Sequence, residues 1–162
     1  SAGAGLVMAA ALKIKENKLA KPACLILLSP WVDLTLANMT RVHDRIDPLL
    51  RWSNLKAASD VYLNGVEPNN PLASAIFADL SDLPAMLIQV GSEEILLGDA
   101  RNLYEQAKKH EVDVSFNIFQ GGWHVFQLQA GMLAMANDAL EEISIFADNV
   151  TNSQLPKQED LA

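Results

Sequence analysis

Two short, nearly uninterrupted apolar runs constrain the fold of this 162-residue chain more than any other feature. Residues 23–28 read ACLILL and residues 85–90 read AMLIQV, and a proline precedes each run. A run of this kind is typical of a strand that is buried on both faces, as in a parallel sheet. Helical patterns alternate with these runs, so the sequence predicts an α/β fold, a mostly parallel sheet flanked by helices.

The other segments are consistent with this fold class. We predict helices at about 3–18, between Ser53 as N-cap and Gly65 as C-terminal cap, at 98–110 and at 125–150 in one or two pieces, and an alternating third strand at 112–119. A long irregular segment is expected at 29–48. Residues 1–150 then form one domain, and 151–162 form a polar, flexible tail.

Composition excludes several classes of function. Half of the residues are hydrophobic and the formal net charge is −8, without a basic cluster, so a nucleic-acid partner is not expected. No segment approaches the roughly 18 consecutive apolar residues of a membrane helix. A single cysteine, Cys24, cannot form a disulfide within the chain, and we interpret it as a small core residue. We therefore predict a soluble globular protein in the cytoplasm.

The chain opens with a serine among small residues, SAGAG, which runs into the apolar helical pattern LVMAAAL. A serine on a tight turn before a helix is the arrangement of a nucleophile elbow, of which S-x-G remains here from G-x-S-x-G. We therefore expect Ser1 to be the first residue of a fragment. Two other interpretations stay open, a simple helix N-cap and an N-terminal nucleophile that its own amine activates.

Residues 91–95 and 121–124 each follow a strand of the predicted sheet, and Ser1 is expected to follow a strand that is missing from this sequence. In an open α/β sheet, ligands bind at the carboxyl ends of the strands, so these groups should meet at one edge. A serine hydroxyl needs a base to become a nucleophile, and a histidine needs a carboxylate to fix its tautomer. His124 is the candidate base, and the chain order of serine, acid and histidine is that of α/β-hydrolases.

The acid is not settled by the residues alone. Glu93 and Glu94 are adjacent and Asp99 is close, but neighbouring residues leaving a strand point opposite ways, so only one of the glutamates can face His124. His124 could also be an ordinary core or surface histidine. His43 and His110 are interpreted as structural.

Other groups complete the candidate site. The backbone N–H of Ala2, directly after the serine, would donate to an oxyanion. Three aromatic side chains are candidates for a substrate pocket, with core packing as the alternative for each: Trp31, Trp123 and Phe126.

Several motifs together resemble the hormone-sensitive-lipase group of α/β-hydrolases, the bacterial family IV esterases. The opening SAGAG is similar to the end of that group's G-D-S-A-G-G elbow, although Ala4 stands where a glycine is common. LSPWVDLT at 28–35, PLAS at 71–74, LPAMLIQVG at 83–91 and GWHVF at 122–126 resemble segments further along. The resemblance covers nearly the whole chain and places it as the C-terminal part of such a domain.

This resemblance implies a function. In that group the acid stands three residues after the glycine that closes the strand, which is Glu94 here, with Glu93 as the alternative. It implies hydrolysis of short to medium acyl esters or lactones without cofactor or metal. It also permits a homodimer that pairs the strand at 112–119 across a two-fold axis. The group's H-G-G-G-type oxyanion loop, cap helices and first strands precede the elbow and do not occur in this sequence.

The resulting hypothesis is a carboxylic-ester hydrolase. Ser1 attacks the ester carbonyl, His124 transfers the proton, and Glu94 orients the imidazole. The alternatives are a peptidase or amidase on the same fold and a binding relative without catalysis.

Overall fold

The computed structural model describes residues 1–39 and 41–154, in which three strands are separated by helices. The helices and strands are α1 Ala2–Glu16, β1 Cys24–Leu28, α2 Arg41–Ile46, α3 Trp52–Leu63, β2 Ala85–Gly91, α4 Leu97–Lys109, β3 Val114–Phe119 and α5 Ala134–Gln154. Two short 3-10 helices lie at Ala75–Phe77 and Phe126–Gln129.

The strands form a parallel sheet in the order β1-β2-β3. Ile26 is paired with Leu87, and Ile88 with Phe116. The predicted α/β class is therefore confirmed. β2 is the central strand of the described sheet, and all its residues from Met86 onward are buried. Its apolar run is continuous because both faces of the strand are covered.

The outer strands are less enclosed than β2. Buried and half-buried residues alternate along β1, and Cys24 is one of the half-buried ones. The prediction of Cys24 as a core residue was therefore too strong, because the strand that carries it lies at one edge of the described sheet. β3 lies at the opposite edge and is mostly half-buried, as its alternating sequence predicted.

The main core lies between the sheet and two helices. Met8 and Ala11 of α1, and Leu103 and Ala107 of α4, belong to one cluster with the strand residues. Alanines at these positions let the helix backbones approach the sheet closely. Burying a side chain the size of Leu103 contributes about 1.5–3 kcal/mol to stability. The cluster therefore stabilises the packing of α1 and α4 against the sheet.

The N-terminus of α3 differs from the prediction. The helix begins at Trp52, before the predicted cap Ser53, because the carboxylate of Asp44 accepts a hydrogen bond from the Trp52 backbone N–H at 2.5 Å. A side chain of α2 thus accepts a hydrogen bond from the N-terminus of α3, the role that the sequence predicted for Ser53. At the other end Asn64 takes the left-handed conformation, with φ of 44°, one residue before the predicted cap Gly65.

The predicted irregular stretch at 29–48 is more regular than expected, because it contains α2. The last predicted helix is in two pieces, which the sequence allowed, and Gly131, whose φ is +87°, lies between them. α5 then continues through Gln154, into the predicted tail, and residues 155–162 lie outside the described residues. None of the described helices is long and apolar enough to cross a lipid bilayer.

Candidate active site

Ser1 lies beside the carboxyl end of β1. Its nitrogen donates to the Leu28 carbonyl at 2.5 Å, and its carbonyl accepts from the Trp31 N–H at 3.3 Å. The same carbonyl accepts the Ala4 N–H at 2.9 Å as α1 begins. Ser1 stands at the N-cap position, yet its side chain makes no capping hydrogen bond. The hydroxyl is therefore not committed to the helix, which weakens the interpretation as a simple cap.

Glu94 and His124 form a buried hydrogen-bonded pair. His124 Nδ1 lies 2.9 Å from Glu94 Oε2, the carboxylate is fully buried and the histidine is 8% exposed. A carboxylate only accepts hydrogen bonds, so the pair requires the proton on Nδ1 and leaves Nε2 as the acceptor nitrogen. This is the tautomer that a general base for a hydroxyl needs.

The other oxygen of Glu94 is held from two sides. Oε1 accepts the Ser29 hydroxyl at 2.8 Å and the Gly91 N–H at 2.7 Å. These donors satisfy a carboxylate that water cannot reach, and they fix its plane. Glu94 therefore reaches His124 in one defined orientation.

The neighbouring acidic residues have other surroundings. The backbone N–H of Glu93 donates to the Gly122 carbonyl at 2.9 Å, and its carboxylate accepts from the Ser92 hydroxyl at 3.3 Å. Asp99 accepts backbone N–H groups of the segment after β1. Of the three acids considered from the sequence, the structure brings Glu94 to His124.

The histidine loop packs directly on the end of β2. A Cβ atom added to Gly91 would lie 2.2 Å from the Gly122 carbonyl oxygen, so only glycine fits there. The Ser92 N–H also donates to the Phe119 carbonyl at 2.9 Å. These contacts bring the loop that follows β3 against the acid that follows β2.

The end of β1 links Ser1 to this pair. The Ser1 nitrogen donates to the Leu28 carbonyl, and the next residue, Ser29, donates its hydroxyl to Glu94 Oε1. One edge of the sheet thus carries Ser1 beside the end of β1, Glu94 after β2 and His124 after β3.

A cavity of about 340 Å³ adjoins the serine. Its lining is mainly apolar and includes Ala2, Leu6, Trp31, Leu34 and Tyr62. Trp31, predicted as a substrate contact, lines this cavity. Its backbone N–H also donates to the Ser1 carbonyl, so Trp31 lies beside the serine.

The other two predicted aromatic contacts lie elsewhere. Phe126 is fully buried in an apolar cluster with Ala136 and Ala139, and its ring centroid is 4.9 Å from that of Phe119. Its prediction as a substrate contact is corrected, because its surface is used in core packing. Trp123 packs partly buried against the same cluster and is not among the residues that line the cavity beside Ser1.

Sequence reasoning missed a set of buried polar links around the acid. Asp47 Oδ2 accepts the Ile95 N–H at 2.9 Å, directly after Glu94. Asp99 Oδ2 accepts the N–H groups of Val32 at 3.2 Å and Asp33 at 3.0 Å. The only signal in the sequence was that acidic residues follow apolar runs, since the partners lie 48 to 67 positions apart.

The remaining histidines are away from this site. His110 ends α4, where its Nδ1 lies 2.9 Å from the Gln106 carbonyl, in agreement with a structural role. His43 lies in α2. Within residues 1–39 and 41–154, no three histidine, cysteine or acidic side chains are grouped so that they could hold a metal ion.

Comparison with known proteins identifies the family. The sequence profile of a family described as alpha/beta hydrolase fold matches residues 1–128. The chain belongs to the α/β-hydrolase family. An esterase from Acinetobacter venetianus is 38% identical over 152 residues, which are 93% of this chain and 50% of that protein. An acetyl-hydrolase from Streptomyces hygroscopicus is 35% identical over 156 residues, or 96% of this chain and 52% of that protein.

Solved structures of α/β-hydrolases agree. An esterase from the bacterial hormone-sensitive lipase family superposes with a TM-score of 0.89 at 35% identity, over 92% of this chain and 50% of that chain. A hormone-sensitive-lipase homologue from a metagenome library gives a TM-score of 0.86 at 41% identity, over 93% and 52%. The predicted resemblance is confirmed, and the chain spans about half the length of these relatives.

Proposed function

We propose that the protein hydrolyses carboxylic esters through a triad of Ser1, His124 and Glu94. The observation that carries the proposal is the buried 2.9 Å hydrogen bond between Glu94 and His124, at the sheet edge where Ser1 begins α1. The relatives named as an esterase and an acetyl-hydrolase support the same reaction class.

The triad acts first as a nucleophile and base. His124 Nε2 accepts the proton of the Ser1 hydroxyl as Oγ forms a bond to the ester carbonyl carbon. Glu94, hydrogen-bonded to Nδ1, stabilises the positive charge that the imidazole gains. The carbonyl oxygen becomes an oxyanion, for which the Ala2 N–H is a suitable donor because the first N–H groups of a helix have no partner within it.

The second half of the reaction uses the same groups. The C–O bond to the alcohol breaks, and His124 returns its proton to the departing alkoxide, which leaves an acyl group on Ser1. Water then attacks the acyl carbon while His124 accepts its proton, and collapse of the second intermediate returns a proton to Ser1 Oγ. The products are an alcohol and a carboxylic acid.

Short to medium acyl esters or lactones are the proposed substrates. The apolar cavity of about 340 Å³ beside Ala2 and Trp31 suits an uncharged chain of a few carbons. Its position next to the proposed oxyanion donor supports a role in holding one side of the ester.

The test is a comparison of two histidine variants of the full-length natural protein on p-nitrophenyl acetate and butyrate. His124→Ala should lower kcat by about 10³-fold or more, because the serine loses its base. His110→Ala, a histidine at the end of α4, should keep kcat close to the wild-type value. Equal kcat in wild type and His124→Ala would refute the triad. Faster turnover of anilides than of esters would favour the peptidase alternative, and no turnover by wild type would favour a binding role.

Other predicted properties remain proposals. Within the described sheet β3 pairs only with β2, so its outer edge is available for the proposed pairing between two copies. A cytoplasmic location and a reaction without cofactor or metal remain predictions from the sequence.

A further inference from the structure

We propose that Ser29 is a positioning residue that aligns the Glu94–His124 pair, an inference that rests on the proposed function. The Ser29 hydroxyl is fully buried between the two loops that carry the acid and the base. It donates to Glu94 Oε1 at 2.8 Å and accepts the Val125 N–H at 3.1 Å. One side chain thus connects the acid directly to the residue after His124.

The direction of these hydrogen bonds is fixed. A hydroxyl has one proton to donate. The Glu94 carboxylate can only accept a hydrogen bond, and the Val125 N–H can only donate one. Ser29 therefore donates to the acid and accepts from the histidine loop. No other donor and acceptor pattern satisfies all three groups.

The backbone around this hydroxyl is held in an uncommon conformation at both ends. Ser29 has φ of 46° and Val125 has φ of 52°, in the left-handed region that residues other than glycine rarely occupy. The Ser29 N–H donates to the Gln89 carbonyl at 2.8 Å, which extends the β1–β2 pairing. The sheet therefore fixes the backbone, and the left-handed turn directs the hydroxyl into the site.

Loss of the Ser29 hydroxyl removes the side chain that links Glu94 to the histidine loop. The Gly91 N–H alone would hold Oε1, so the carboxylate could rotate away from Nδ1. The Val125 N–H would lose its acceptor in a part-buried position. Both changes move the imidazole relative to Ser1, and a small misplacement of a base slows proton transfer without weakening substrate binding.

A second buried serine provides a matched control. Ser74 is also fully buried, accepts the Leu34 N–H at 2.8 Å and donates to the Pro68 carbonyl at 2.6 Å. Like Ser29, it donates one hydrogen bond and accepts one from a backbone N–H, but its acceptor is a backbone carbonyl and it contacts neither Glu94 nor the histidine loop. Loss of either hydroxyl should therefore lower stability similarly, whereas only the loss of Ser29 should affect the pair.

The experiment uses Ser29→Ala, Ser29→Gly and Ser74→Ala in the full-length natural protein. Glycine is favourable at positive φ, so Ser29→Gly removes the hydroxyl while it relaxes the backbone. We measure kcat and KM on p-nitrophenyl butyrate, the melting temperature, and the downfield proton NMR signal of the His124 Nδ1–H, assigned by its loss in His124→Ala. The NMR signal reports on the Glu94–His124 hydrogen bond independently of turnover.

Both Ser29 variants should lower kcat about 10- to 100-fold with KM within about threefold, and should shift or broaden the Nδ1–H signal. Ser74→Ala should lower the melting temperature but keep kcat and the signal. Wild-type kcat and an unchanged signal in both Ser29 variants would overturn the proposal, as would recovery of kcat in Ser29→Gly alone. If wild type hydrolyses no ester but the signal changes in both Ser29 variants, the proposed function fails and the positioning role stands.

Discussion

At the scale of single residues, the surroundings of Glu94 decide which of two adjacent acids serves the histidine. Glu94 is fully buried and accepts three hydrogen bonds, from Ser29, Gly91 and His124. A buried carboxylate with this many donors is held in one orientation, which is what a hydrogen-bond partner for the histidine needs. Among residues 1–39 and 41–154, the Glu93 side chain accepts one hydrogen bond, from the Ser92 hydroxyl.

Replacing each glutamate by glutamine separates their roles. Glu94→Gln should lower kcat by about 10³- to 10⁴-fold, because an amide can present a donor to Nδ1 and thereby favour the wrong tautomer. Glu93→Gln should change kcat no more than a few fold, which makes it the control. Steady-state kinetics on p-nitrophenyl butyrate measures both. A larger loss of kcat in Glu93→Gln than in Glu94→Gln would reverse the assignment.

The sequence predicted some of these residues and not others. Glu94 and His124 were predictable because each follows a strand of a parallel sheet, and Ser1 because its small neighbours and the helix after it have the pattern of a nucleophile elbow. Ser29 was not, since its bond to Glu94 joins positions 65 apart and depends on a left-handed turn that no local pattern indicates. Phe126 was misassigned because an aromatic side chain beside a site is indistinguishable, in sequence, from one in the core.

At the scale of secondary-structure elements, buried acids join the start of α4 to the segment that follows β1. Asp99, in the first turn of α4, accepts the N–H groups of Val32 and Asp33, but its other oxygen has no hydrogen-bond partner in the part of the chain that the structure describes. Burial, together with the smaller effect of the negative charge of Asp33, raises the pKa of Asp99 to about 8. At neutral pH Asp99 is therefore mostly protonated in the folded protein.

This protonation makes the stability depend on pH. In the unfolded chain Asp99 has the ordinary aspartate pKa of 3.8, whereas in the folded chain its pKa is about 8. Between these pH values the folded state binds more protons than the unfolded state. The contribution of the protonated Asp99 to stability is therefore lost as the pH rises from about 4 to about 8. Asp99→Asn keeps an oxygen for both N–H groups and removes the titration.

The measurement is the free energy of unfolding by urea at pH 5, 7 and 8.5. The wild type should lose stability with rising pH more steeply than Asp99→Asn, and the variant should equal or exceed wild type at pH 8.5. Asp47→Asn is the control, because both Asp47 oxygens already accept backbone N–H groups. In Asp47→Asn the side-chain NH2 group would face a backbone N–H, so two donors would meet without an acceptor. This lowers the free energy of unfolding by about 1–3 kcal/mol at each pH. An equal loss in Asp99→Asn at all three values would contradict a protonated Asp99.

Elements differ in how far the sequence predicts them. β2 was predictable because a strand covered on both faces must be apolar along its whole length. The start of α3 was not, because Asp44 of another helix supplies its cap in place of the nearby Ser53. α2 was missed because a helix of six residues is too short for a clear apolar period.

At the scale of the whole molecule, the topology of the sheet assembles the site from distant parts of the chain. β1 and β3 flank β2, and all three are parallel, so their carboxyl ends lie along one edge. Ser1 lies beside the end of β1, Glu94 follows β2 and His124 follows β3. The chain belongs to the α/β-hydrolase family, and the triad of these three residues and its esterase activity are the proposal built upon that fold.

Covalent labelling with an alkyl fluorophosphonate tests the central claim most directly, because only an activated serine reacts. The full-length natural protein is treated with the reagent, digested, and analysed by peptide mass. We predict one adduct, on Ser1, which is absent in His124→Ala. An adduct on a different serine, or no adduct on the intact protein, would contradict an activated Ser1.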